Sequence, residues 1–159
     1  TLETRPELYE EHEFSKGAED VHGFTREKIV SFLPEPQAAA ILIDDLEQYG
    51  KDRLTIAGYN VGFDMGFIKA LFKRTGHTTK FNKYFDYLTC DVMQFVQACR
   101  MAGIISLPHI NLESICRHLG INTEGAHHSM SDILNTKAVF DKLVSAARAG
   151  WVSGLPLAL

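Results

Sequence analysis

The sequence contains no hydrophobic run approaching the roughly 20 residues that a membrane-spanning helix needs, so no membrane partner is expected. Its first residues, Thr1-Leu2-Glu3-Thr4-Arg5-Pro6, lack the pattern of a secretory leader and begin without Met. Cysteine is scarce. Cys90, Cys99 and Cys116 are odd in number and show no Cys-x-x-Cys spacing, which argues against a disulfide framework or a zinc ribbon. Reduced thiols packed as small apolar groups, in a cytoplasmic protein, are expected instead. Basic charge is also short: 16 Lys and Arg stand against 20 Asp and Glu, a net charge of −4. A module that coats nucleic acid by charge alone is normally basic, so that class is disfavoured. An enzyme whose acidic site meets phosphate through bound cations remains open. There is no internal repeat, low-complexity tract or dividing linker, and 159 residues suit one domain with a sizeable core.

What is present reads as alternating strands and helices. Residues 2–5 predict the end of a strand, and residues 6–15 a polar loop. Thr25 predicts the N-cap of a short helix that stops before Pro34. Residues 37–49 predict a helix with Ile41, Leu42, Leu46 and Tyr49 on its apolar side and Gly50 as its stop. Residues 54–58 form a short apolar strand, followed by an amphipathic helix over 63–74. Residues 84–90 read as another strand, and 91–101 as a helix. Asn111 caps a helix ending at Gly120. The last helix covers about 129–148, with Ile133, Thr136, Phe140, Leu143, Val144 and Ala147 as its stripe. This alternation predicts an α/β layer structure, although only about three strands are visible.

Two short segments carry chemistry. In Ala57-Gly58-Tyr59-Asn60-Val61-Gly62-Phe63-Asp64, an aspartate sits just beyond a strand at the opening of a helix. It could face an open crevice, or simply cap the helix. In Gly125-Ala126-His127-His128-Ser129-Met130-Ser131-Asp132, two histidines precede a helix whose first turn carries an aspartate. A pre-helix His has the proton affinity to act as a base on an attacking water, and the Asp can hold a cation that acidifies it. Phosphodiester hydrolysis profits from two such cations about 4 Å apart, because charge develops on both the attacking and the leaving oxygen. Paired His at a helix start can also be ordinary exposed polar residues.

Taken together and in order, these segments resemble the DEDDh (DnaQ-like) family of 3′–5′ exonucleases. The family's second motif, Asn then Asp four residues on, resembles Asn60 to Asp64; its third, His then Asp five residues on, resembles His127 to Asp132. Thr89-Cys90-Asp91-Val92-Met93 is similar to a strand-ending Asp segment between them, and Ile115 to Ile121 to the helix and turn that lead into the third motif. Ala18-Glu19-Asp20-Val21-His22-Gly23-Phe24-Thr25 resembles the segment lining the terminal-nucleotide pocket. The likeness runs to about Val144.

The resemblance implies an RNase H-like mixed sheet with helices on both faces, and a two-metal site taking Mg²⁺ or Mn²⁺. It assigns catalysis to His127, Asp64 and Asp132, with Asp64 and Asp132 as metal ligands, and substrate contacts to Ala18, His22, Asn60 and Phe63. The expected reaction is hydrolysis of the 3′-terminal phosphodiester of single-stranded DNA or RNA to nucleoside monophosphates. A DNA polymerase, in proofreading, or a second copy of the chain is a candidate protein partner. One element departs from the pattern: the family's first motif, Asp-x-Glu on a first strand, does not precede His22. The expectation is therefore a single exonuclease domain over 1–159 that is N-terminally incomplete and lacks its first strands. By itself it is expected to be inactive or nearly so, with an uncovered apolar sheet face. His128, four residues before Asp132, competes with His127 for the base. Lys69, Lys73, Arg74, His77, Lys80 and Lys83 form a basic cluster that could hold a nucleic-acid backbone or be a solvated face. Phe63 could stack on a base or join the core. The rival classes are a catalytically inactive nucleic-acid-binding or scaffolding module of the same fold, and a zinc hydrolase using His127, His128, Asp132 and Asp64.

Overall fold

A computed structural model describes residues 4–5, 17, 19–20, 23–49, 53–123 and 129–153, apart from the side chains of 4–5 and 151–153. Ala18, His22, Gly50 and the segment 124–128, with His127 and His128, lie outside the described residues. The chain is mixed α/β. In order, its elements are β1 (Thr4–Arg5), α1 (Arg26–Val30), β2 (Leu33–Pro34), α2 (Glu35–Tyr49), β3 (Leu54–Gly58), α3 (Val61–Arg74), α4 (Thr78–Tyr84), β4 (Phe85–Asp91), α5 (Val92–Met101), α6 (Leu112–His118) and α7 (Ser129–Ser153). The strands make two ladders, β1 with β2 and β3 with β4. The β1–β2 pair is parallel, with Thr4 opposite Leu33 and Arg5 opposite Pro34. Among the described residues, no helix is long and apolar enough to cross a membrane.

Two compact units divide the chain. The first comprises Thr1–Leu54 and Met65–Tyr87, the second Thr55–Asp64 and Leu88–Leu159. In the first, Thr25 caps α1 as expected, its hydroxyl accepting from the Lys28 N–H. Helix α2 starts two residues earlier than the sequence suggested, at Glu35. Its buried side is Glu35, Ala38, Ala39, Ile43 and Leu46, while Ile41 and Tyr49 are exposed. The buried Glu35 carboxylate explains the shift. Arg74 grips it with two hydrogen bonds, Nε to Oε2 at 2.8 Å and Nη2 to Oε1 at 2.6 Å, which turns that acid inward. Helix α4 was not anticipated. Its seven residues lack a side-chain cap at His77 and are held by tertiary contacts: Phe81 packs against Phe72 and Phe85, and Lys80 and Tyr84 both reach Glu47 Oε1. Tyr84 therefore closes a helix rather than opening β4.

In the second unit, the core is Val92, Val96, Cys99, Ile105, Ile115, Cys116, Val139 and Leu143, where α5, α6 and α7 meet. Burial of this kind drives the packing; truncating Leu143 to Ala would cost about 2–5 kcal/mol. Asn111 caps α6 as expected, accepting from the Ser114 N–H at 2.8 Å. Gly120, at φ 65°, ends that helix and lets the Ile121 N–H reach the Cys116 carbonyl at 2.8 Å. Helix α7 keeps most of its expected stripe but gains Val139, fully buried, and loses Ile133, which is 61% exposed. Ile133 lies one heptad before Phe140 on the same side, yet the first fully buried residue of α7 is Val139. Met130 and Leu134 beside it are exposed too, as is Leu88 on β4.

Candidate active site

The site builds up from the end of β3. Gly58 packs closely: a Cβ there would stand 3.3 Å from Cβ and Cγ2 of Val61, the buried first residue of α3, which would have to give slightly. Asn60 follows at φ 63°, the left-handed region that Asn tolerates better than most side chains. Its carbonyl accepts the Phe63 N–H at 2.9 Å and so closes the first turn of α3. That turn presents Asp64, where the positive end of the helix dipole favours a carboxylate. Phe63 is 63% exposed, which removes it from the core.

Asp91 ends β4 and caps α5. Its Oδ1 accepts from Met93 N at 3.0 Å and also from Asn60 N at 3.0 Å, so one oxygen ties the end of β4 to the turn after β3. The adjacent Tyr59 hydroxyl donates to the Ile110 carbonyl. Burial pushes the Tyr59 phenol up to about 12, with Cys116 and Asp91 adding in the same direction. Asp64 is held above the ordinary carboxylate range by desolvation first; its own backbone hydrogen bond opposes this, and the charge of Asp91 reinforces it. Asp132, half-buried in the first turn of α7, acts on Cys116, whose thiol is pushed up by burial and then by that carboxylate.

Asp64 and Asp132 thus both belong to the second unit, where Asp64 feels the charge of Asp91 and Cys116 that of Asp132. Asn60 and Phe63 lie on the same turn as Asp64. Asp91, which the sequence placed in a strand-ending segment without a role at the site, is drawn into it by its bond to Asn60, for which the sequence carries no local signal.

The donor set suits a hard divalent cation: carboxylate oxygens match Mg²⁺ or Mn²⁺, and crowded carboxylates are relieved by positive charge. Asp64 and Asp132 are the residues that could hold it. Among the described residues, no group of three His, Cys, Asp or Glu is gathered as a metal cage. The basic cluster belongs to the first unit and is largely engaged. Arg74 pairs with Glu35, Lys80 with Glu47, and Lys83 bonds and overlies Tyr84, while Lys69 and Lys73 are exposed.

A family model described as Exonuclease (RNase_T) matches residues 3–140. No curated protein and no solved structure matches the chain significantly. The matched span contains β1 through the first half of α7, and with it Asn60, Asp64, His127 and Asp132. The chain belongs to the exonuclease (RNase_T) family, whose members are nucleic-acid-cleaving hydrolases.

Proposed function

We propose that the protein is a divalent-metal-dependent 3′–5′ exonuclease acting on single-stranded nucleic acid. The observation that supports this best is the turn joining β3 to α3, where Asn60, Phe63 and Asp64 are set out in the order of the family's second motif with Phe63 exposed. Asp132 and Asp64 would together hold the cations of one site, and Mg²⁺ and Mn²⁺ suit their oxygens. When bound, such cations acidify the attacking water and neutralise charge on the leaving 3′ oxygen. His127 accepts the proton of that water. An imidazole that titrates near neutrality is fitted to the task and contributes about 10²–10⁴-fold. The water oxygen bonds to phosphorus, the bond from phosphorus to the 3′ oxygen breaks, and a nucleoside monophosphate leaves. Phe63 stacks on the terminal base, and Asn60 contacts the same nucleotide.

The test is hydrolysis of single strands labelled at the 5′ end, with Mn²⁺, at high protein concentration. The expected result is slow shortening from the 3′ end with mononucleotide products, lost on chelation and in Asp64→Asn, Asp132→Asn and His127→Ala. If His128→Ala abolishes cleavage and His127→Ala does not, the base is His128. Internal cuts, or cleavage that survives chelation, would contradict the proposal. The alternative reading is a binding module of the same fold without catalysis. Tight binding of single strands without any shortening would select it.

A further inference from the structure

We infer that Asp91 is a positioning residue for the acidic site: one carboxylate oxygen fixes the main chain of Asn60 and thereby the start of the helix that carries Asp64. This rests on the reading of Asp64 as a cation ligand. An N-cap for α5 needs only the bond to Met93 N, and Ser, Thr or Asn would serve as well. The bond to Asn60 N does something else. It spans 31 positions in sequence and joins the ends of two strands. Its donor is the residue held at φ 63°, whose carbonyl in turn receives the Phe63 N–H. The left-handed turn is thus gripped at its N–H by Asp91 and closed at its carbonyl by α3. Next to it, the Tyr59 side chain is tied to the Ile110 carbonyl. Asp64 lies four residues beyond Asn60, within the field of Asp91, so displacement of the turn moves the ligand. Groups that orient a metal ligand without touching the metal commonly change affinity about 10- to 100-fold when removed.

The experiment uses Asp91→Ala and Asp91→Asn, with Mn²⁺ as the probe. The Asn60 amide reports position through its hydrogen-exchange protection. Paramagnetic broadening of the Asp64 amide reports Mn²⁺ affinity. In Asp91→Ala, the Asn60 amide should lose protection and Mn²⁺ should bind about 10- to 100-fold more weakly. Asp91→Asn keeps an oxygen in place and should restore both to near the parent values. If Asp91→Ala does not fold, Asp91→Ser keeps a capping oxygen for α5 on a shorter side chain and should show the same two losses. Unchanged protection and affinity in Asp91→Ala, or in Asp91→Ser where that variant stands in, would overturn the inference. So would an Asp91→Asn variant as weak as Asp91→Ala, which would make the carboxylate charge, not its position, the active property. If the parent protein fails to bind Mn²⁺ near Asp64, the cation-site reading falls, while the Asn60 amide still decides whether Asp91 holds the turn.

Discussion

Asn60 donates its main-chain N–H to Asp91 Oδ1 at 3.0 Å while its own φ stands at 63°. A residue with a Cβ pays roughly 1–2 kcal/mol for that backbone, and Asn somewhat less because its short side chain tolerates it. Asn60→Ala should therefore lose about 1 kcal/mol of stability, and Asn60→Gly clearly less, in urea unfolding. Both variants should lose nucleotide binding if the side chain contacts substrate. Equal destabilisation by Ala and Gly would show that the backbone conformation is not what selects Asn.

Glu35 is 3% exposed and depends on Arg74, whose side chain is 44% exposed. Removing one partner of a buried pair leaves a charge without compensation, at about 3–5 kcal/mol for full burial. The exposure of Arg74 brings the expected loss for Arg74→Met down to about 2 kcal/mol. Adding Glu35→Gln to that variant should recover part of it. A double-mutant cycle by urea unfolding checks this; strictly additive losses would mean that the two side chains do not act as a pair.

Tyr59 provides a pH signature. Its phenol sits at about 12 in the folded protein against roughly 10 in an unfolded chain. A raised value in the folded state means that the stabilisation is complete below about pH 10 and disappears as pH rises through about 12. Tyr59→Phe should cost about 1 kcal/mol near neutrality through the lost bond to Ile110, and should flatten the fall in stability over that alkaline window. Phenolate absorbance should show one of the five tyrosines titrating late in the parent protein and none in its place in Tyr59→Phe. A fall of equal steepness in both proteins would contradict this.

Local signals in the sequence located what depends on local physics. Thr25 and Asn111 cap the helices they were expected to cap, and Asp64 stands in the first turn after a strand, as its segment implied. Failures came where tertiary partners decide. Glu35 reads as a surface acid until Arg74 arrives from 39 positions away. The Thr78–Tyr84 helix has no cap signal and depends on Phe72, Phe85 and Glu47. Ile133 fits a helical stripe by spacing, but nothing in spacing says where along α7 the core begins. The bond from Asn60 to Asp91 joins two strand ends and has no sequence period at all.

Asp64 and Asp132, 68 positions apart in sequence, are proposed to serve one divalent-cation site. Titration of the isotope-labelled protein with Mn²⁺, followed through amide broadening, tests this most directly. The expected result is that the Asp64 and Asp132 amides broaden together with a single midpoint, and that Asp64→Asn suppresses broadening at Asp132. Broadening at Asp132 that is indifferent to Asp64→Asn, or midpoints that differ between the two residues, would contradict the account.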